Sequence, residues 1–163
     1  MKCTDYTNEL QDLNVLIKSS LKNCGIFNKI EHISLQKKLT PNLPKVRVNT
    51  DDTSLVIVNL LTNALDSMPN DGKLLIESRY CKEDDSYVQI FISDTGYGIK
   101  KNKMDKIFLP FFTTKGEGKG IGLGLAISKR IIEGYGGKIN VASTQGRGTT
   151  VTLCLPATFK SDN

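Results

Sequence analysis

The stretch that decides the fold reads DTGYGI (Asp94–Ile99), KIFLPFFTTK (Lys106–Lys115) and GEGKGIGLGL (Gly116–Leu125). It sets an acid beside two glycines, then a Phe-rich hinge, then glycine at every second position from Gly116 to Gly124. Alternate glycines suit neither helix nor strand, because each costs backbone entropy and packs no side chain. Such a run serves as a mobile loop whose bare backbone closes on a ligand, and phosphate is the ligand expected. Ile121, Leu123, Leu125 and Ile127 lead into a helix, so the loop ends at a helix N-terminus, where free N–H groups favour anions.

The flanking segments predict the rest of the architecture. A helix is expected over about residues 7–24, with Leu10, Leu13, Ile17 and Leu21 on one face and Gly25 at its stop. Residues 32–39 alternate as a strand, and the Pro41–Pro44 stretch leads to a short strand around Val46 and Val48. Asp51 or Asp52 is expected to cap a second helix running to about Met68, with Leu55, Val58, Leu61 and Leu65 on its buried side. Strands over 73–81 and 87–94 follow, joined by a polar turn at 83–86. A helix over about 122–135 ends at Gly136-Gly137, and strands over 138–143 and 149–155 close a hairpin. This order predicts an α/β (α+β) two-layer sandwich: a mixed, largely antiparallel sheet with helices on one face.

At 163 residues, 39% hydrophobic and 24% charged, the chain has the composition of one soluble domain with a real core. No apolar run reaches the roughly 18 residues of a membrane span, and the opening residues do not read as a signal peptide. Cys3, Cys24, Cys81 and Cys154 are scattered and His32 stands alone, which argues against zinc and for reduced cytosolic thiols. The net charge of +5 does not mark a nucleic-acid binder, because the lysines are spread and several fall in the glycine-rich region. Two familiar phosphate motifs also fail. Lys119 is followed by Gly120, not by the Ser or Thr of a Walker A loop. The alternating glycines do not follow a strand in a parallel βαβ unit, as the dinucleotide fingerprint requires, and no parallel unit is expected before them.

Taken together, Asn59-Leu-Leu-Thr-Asn63-Ala, Asp94-Thr-Gly96-Tyr-Gly98-Ile99, Phe108-Leu-Pro-Phe111-Phe112, Gly120-Ile-Gly122-Leu123-Gly124-Leu125 and Gly146-Arg-Gly148-Thr149 resemble the catalytic ATP-binding domain of sensor histidine kinases. These boxes stand in that family's order across about residues 50–156. The resemblance implies the Bergerat ATP-binding fold of the wider superfamily of gyrases, mismatch-repair ATPases and heat-shock chaperones. Phe111-Phe112-Thr113-Thr114-Lys115 resembles the nitrogen-regulatory branch, although Leu109 stands where that branch usually has Glu. On this basis residues 25–156 are the ATP-binding domain, residues 1–24 an N-terminal helix and linker remnant of a dimerisation domain, and residues 157–163 a disordered tail.

The residue chemistry agrees. Asp94 ends an apolar strand, where a partly solvated carboxylate can accept from an exocyclic amine such as adenine N6; the resemblance implies that role, with Thr149 helping directly or through water. An Asp that merely caps a turn ahead of Gly96 is the plain alternative. Asn59 and Asn63 lie one helical turn apart and share a face. Their amide oxygens suit Mg²⁺, and the resemblance puts Asn63 on the metal that bridges the phosphates, with Asn59 nearby. The other superfamily branches carry Glu at Asn59 as a base for water; an amide is no base at neutral pH, which argues against a fast ATPase. Gly96 and Gly98 let the backbone pass close to the base, and Ile99 packs on the ring. Phe108, Phe111 and Phe112 are core residues individually, and as a group the resemblance makes them a latch for a lid. The same likeness assigns Thr114, Gly120, Gly122, Leu123, Gly124 and Leu125 to nucleotide binding. Lys115 and Lys119 are candidate phosphate contacts, whereas Lys100, Lys101, Lys103 and Lys106 read as a solvated helix face. Asp66 and Ser67 stand where many such kinases have a Lys and an aromatic, so no phosphate-binding Lys is assigned there.

His32 lies in a strand-like context, away from any phosphoacceptor pattern. The expected function is therefore an ATP- and Mg²⁺-binding domain that donates the γ-phosphoryl group to a histidine on a separate dimerisation domain, and from there to a response regulator. It is expected in the cytoplasm, as a monomer when isolated, without membrane or nucleic-acid contact. A slow ATPase, or an ATP-gated interaction module resembling anti-sigma factors, is the alternative.

Overall fold

The computed structural model describes residues 7–23, 32–81, 86–114 and 120–159. Asp12 divides the first of these segments into a strand and a helix. Its carboxylate accepts from Asn14 N at 2.8 Å, and its carbonyl accepts from Val15 N and Leu16 N at 3.1 and 3.2 Å. That N-cap starts α1 (Leu13–Asn23) at Leu13 rather than near residue 7, and leaves Leu10 in β1 (Glu9–Gln11), paired with Arg47. Gly25 lies outside the described residues. An 11-residue helix is marginal by itself, so α1 depends on burying Leu13, Leu16, Ile17 and Leu21, each worth about 1.5–3 kcal/mol.

The remaining strands are β2 (Ile33–Leu39), β3 (Lys45–Val48), β4 (Gly72–Cys81), β5 (Tyr87–Asp94), β6 (Lys138–Thr144) and β7 (Gly148–Thr158). They form one sheet in the order β1-β3-β7-β5-β4-β2, with β6 also paired to β7. Every pairing is antiparallel except β2 with β4. That parallel pair precedes the glycine-rich stretch, contrary to expectation. It does not revive the dinucleotide motif, because the glycines follow the loop after β5 and not a strand of the pair. His32 is exposed just ahead of β2. β7 runs past Pro156: Val46 pairs with Ala157 and Lys45 with Thr158, while Ala157 N donates to Ser86 O at 2.6 Å. The tail expected from residue 157 is thus strand to Thr158, because β3 offers a free edge there; residues 160–163 lie outside the described set.

Asn49, not Asp51 or Asp52, caps α2 (Thr50–Asp66): its side chain accepts from Asp51 N at 2.9 Å and Asp52 N at 3.0 Å. The buried stripe of α2 is Thr53, Val56, Ile57, Leu60, Leu61, Ala64 and Leu65, at helical spacing. Leu55, expected on that side, falls off the stripe and is 47% exposed. α2 packs between α1 and α3 (Gly124–Gly134) and against β5, and α3 packs on β6 and β7. The core between the layers joins Leu16, Ile17, Ile57 and Leu61 to Ile76, Val88, Ile90, Leu153 and Leu155. A 3-10 helix, Lys101–Lys106, follows β5; Lys100, Lys101 and Lys106 are exposed on it and beside it, as a solvated face requires, and Lys103 is half-buried. This arrangement brings one side of α2, the end of β5 and the start of α3 to a common opening.

Candidate functional site

A cavity of about 510 Å³ fills that opening. Its walls are apolar where the layers meet: Ile92 and Val151 from the central strands, Val141 from β6, and Leu60 and Ala64 from α2. Ile99 and Ile107 close it from the loop after β5. These walls suit a largely apolar group held by few polar contacts.

Asp94 supplies the principal one. Its Oδ1 accepts from Gly96 N at 2.8 Å and from Ser67 Oγ at 3.0 Å. Burial pushes the Asp94 carboxyl above its ordinary range, against the opposing pull of these two donors and the Thr149 backbone N–H. Asp94 is also clamped through its backbone. It pairs with Thr149 across β5 and β7, and Gly148, at φ +110°, lies so close that a Cβ there would strike Asp94 O.

Protein packing requires glycine at both Gly96 and Gly98. A side chain on Gly96 would collide with Ser67, and one on Gly98, at φ +65°, with Thr144 O. Both permit close packing of protein on protein, which brings the loop against α2 and the β6–β7 turn; Gly98 lines the cavity and Gly96 is buried behind it. Ile99 is held by its own N–H, which donates to Ser143 Oγ at 2.8 Å. Ser143 in turn lies 2.9 Å from Gly148 O and 2.9 Å from Thr149 Oγ1. With the Ser143 proton on Gly148 O, Thr149 donates to Ser143 and presents lone pairs to the cavity. Its hydroxyl is therefore tied to Ser143, and its link to Asp94 runs through the backbone.

Asn59 and Asn63 line the same cavity from α2. A Cβ placed on Gly124 would sit 3.8 Å from Asn59 Cγ, so the start of α3 lies against the Asn face. Thr114, Gly120, Gly122, Leu123, Gly124 and Leu125 also reach the cavity. Gly122, at φ +74°, packs its backbone on that of Phe111 and Phe112. The three Phe residues part company: Phe112 lines the cavity, Phe111 is 72% exposed, and Phe108 packs on the core with Lys129 Nζ 5.0 Å from its ring centre. Lys115 and Lys119 lie outside the described residues. Of the expected site residues, Phe108 and Gly96 support the wall from outside. Ser67 and Ser143 were not anticipated: Ser67 caps α2 just after Asn63 and Ala64, but its bond to Asp94, like that of Ser143 to Ile99, exists only through tertiary contact.

The geometry finds its counterpart among known proteins. A family model described as "Histidine kinase-, DNA gyrase B-, and HSP90-like ATPase" matches residues 49–158. The chain belongs to this ATPase family. Sensor histidine kinase ZraS of Escherichia coli is 36% identical over 156 residues, covering 96% of this chain and 32% of that kinase. Sporulation kinase D of Bacillus subtilis is 40% identical over 149 residues, covering 91% of this chain and 28% of the relative. The chain thus spans about a third of the curated relatives' length. The solved catalytic domain of histidine kinase ThkA superposes with a TM-score of 0.79 at 27% identity, covering 92% of this chain and 95% of that one. Residues 49–158 contain every box of the site, so the family match and the cavity coincide. No helix among the described residues is long and apolar enough to cross a membrane.

Proposed function

We propose that the domain binds Mg-ATP in this cavity and donates the γ-phosphoryl group to a histidine on a separate dimerisation domain, which passes it to a response regulator. The observation that carries this reading is Asn59 lying in the cavity beside the start of α3. An amide there cannot take a proton from water, so the γ-phosphate is kept for a stronger nucleophile brought by a partner. Asp94 accepts from the adenine amine and the apolar walls sandwich the ring. The helix N-terminus at Gly124 faces the phosphates, with Lys115 as a further phosphate contact. These residues act by positioning and charge complementarity rather than by covalent chemistry.

Mg²⁺ fits the donors present. Asn59 and Asn63 offer amide oxygens from one face of α2. Among the described residues no cluster of three His, Cys, Asp or Glu competes for a metal. Such a site suits a hard cation that keeps its waters and leans on phosphate oxygens. When bound, the ion would supply positive charge to the phosphate oxygens; Asn63 would hold it and Asn59 would orient it. Phe111–Lys115 supports placement in the nitrogen-regulatory branch. We further place a dimerisation domain on the N-terminal side of β1 and α1, which belong to this domain's own sheet and core, and the isolated domain in the cytoplasm as a monomer.

The test follows the label of γ-labelled ATP with Mg²⁺, alone and with a histidine-bearing dimerisation domain added. Little free phosphate alone and label on the histidine together support the proposal; steady phosphate release without a partner would overturn it in favour of an ATPase. Asp94→Asn serves as the binding control, with a loss of about 10- to 100-fold in affinity, roughly 1.5–3 kcal/mol.

A further inference from the structure

The Ser67 hydroxyl joins two parts of the fold that the sequence does not link. From the end of α2 it reaches Asp94 Oδ1 at 3.0 Å, the last residue of β5, and Ala64 O at 2.7 Å. Its carbonyl accepts from Tyr97 N at 3.1 Å, and Gly96 packs against it too closely to carry a side chain. Ser67 is 8% exposed and still lines the cavity. A side chain so enclosed has little freedom to turn away from the carboxylate.

We propose that Ser67 is a positioning residue for base recognition: with Gly96 N it occupies Asp94 Oδ1, and so leaves Oδ2 as the oxygen that accepts from a purine 6-amino group. This rests on the reading of the cavity as an ATP site. Two donors on Oδ1, with the Thr149 N–H as a third donor to the same carboxyl, fix the plane of the group as well as its position. The Ser67 proton has two acceptors within reach, and the charged one makes the stronger bond when Asp94 is ionised. A fixed carboxylate meets an amine without reorganisation; one free to rotate must be ordered by the ligand, which weakens binding. Removing the hydroxyl therefore affects only ligands that carry the amine. A serine that served packing alone would affect all purine nucleotides alike.

The experiment compares Mg-ATP with Mg-purine riboside triphosphate, which lacks the 6-amino group, by titration calorimetry on the wild-type chain, Ser67→Ala, Asp94→Asn and the double variant. In the wild type ATP binds more tightly than the analogue; equal binding would sink the ATP reading of the cavity rather than the role of Ser67. Ser67→Ala is expected to weaken ATP by about three- to tenfold while leaving the analogue within twofold. In the Asp94→Asn background the serine substitution is expected to change ATP binding by less than twofold. Equal weakening of both nucleotides, unchanged ATP affinity, or an undiminished effect in the Asp94→Asn background would each overturn the proposal. Ser67→Ala removes one oxygen, and a thermal melt on each variant confirms that only folded protein is compared.

Discussion

The Tyr135 hydroxyl stands 3.2 Å from Asp52 Oδ2 and accepts from Asn49 N at 3.2 Å, tying the C-terminus of α3 to the N-terminus of α2. Both helices line the cavity, so this latch holds its two walls in register. Burial pushes the Tyr135 phenol above its ordinary range, opposed by the Asn49 N–H, and the Asp52 charge pushes it further.

Tyr135→Phe is expected to lower stability by about 1 kcal/mol at neutral pH, seen as a fall in denaturant midpoint. Because the folded phenol keeps its proton where the unfolded one loses it, the tyrosine's contribution is complete below about pH 10 and fades above it. The wild-type and variant stabilities should therefore converge as pH rises past 10. A constant gap would deny the link.

Asp94 has the opposite consequence for ligand and fold. The folded carboxyl is raised, so between the ordinary aspartate value near 3.9 and its own the folded protein holds more protons than the unfolded chain. Stability contributed by Asp94 thus falls as pH rises through that window. ATP binding runs the other way, since the charged carboxylate accepts from an amine more strongly than the neutral acid does. The ratio of wild-type to Asp94→Asn affinity should be constant near neutrality and shrink on acidification, beginning above pH 3.9. Calorimetry over a descending pH series from 7.5 that reaches about 3.9 measures it; a ratio that does not change over that whole range would remove Asp94 from the recognition step.

Two glycines of the β6–β7 turn separate strain from collision. Gly146, at φ +79°, has open space around it, while Gly148, at φ +110°, abuts the Asp94 carbonyl. Gly146→Ala should cost about 1–2 kcal/mol of stability and leave ATP binding unchanged. Gly148→Ala should cost about 2–3 kcal/mol and also weaken ATP, because β5 must shift where it carries Asp94. Thermal melts and nucleotide titrations on both variants check the contrast.

Asn63→Ala is expected to act through the metal. The gain in ATP affinity on adding Mg²⁺ should shrink by about 10- to 100-fold, while metal-free ATP affinity stays within twofold. Titrations in chelator and in excess Mg²⁺ provide the comparison, and an unaltered Mg²⁺ gain would leave Asn63 without its assigned role.

Much of the site was legible before any fold, because its chemistry lies in short local runs. The Asn59–Asn63 spacing puts two amides on one helical face whatever the helix packs against. An acid closing an apolar strand ahead of Gly96 and Gly98, and glycines leading into a helix, are likewise statements about neighbours in the chain. β5 matched its expected limits of Tyr87–Asp94, because its residues alternate strictly between buried and half-buried through Ile92.

The sequence by itself determined most of the elements and their order, β1 excepted, and most of the residues that gather at the cavity. Only the tertiary structure decided which atoms hold those residues in place. Leu55 left the buried stripe because the helix is rotated by its packing on α1, α3 and β5, not by its own pattern. β2 lies parallel to β4 because the chain between them crosses to the far side of the sheet as β3, between β1 and β7, and returns through α2, a path that local alternation does not encode. Ser67 and Asp94 are separated by 27 residues, and Ser143 meets Ile99 across 44. Hydrogen bonds of that range depend on how two layers stack, and stacking is set by the summed shape of the core rather than by any residue's neighbours in the chain.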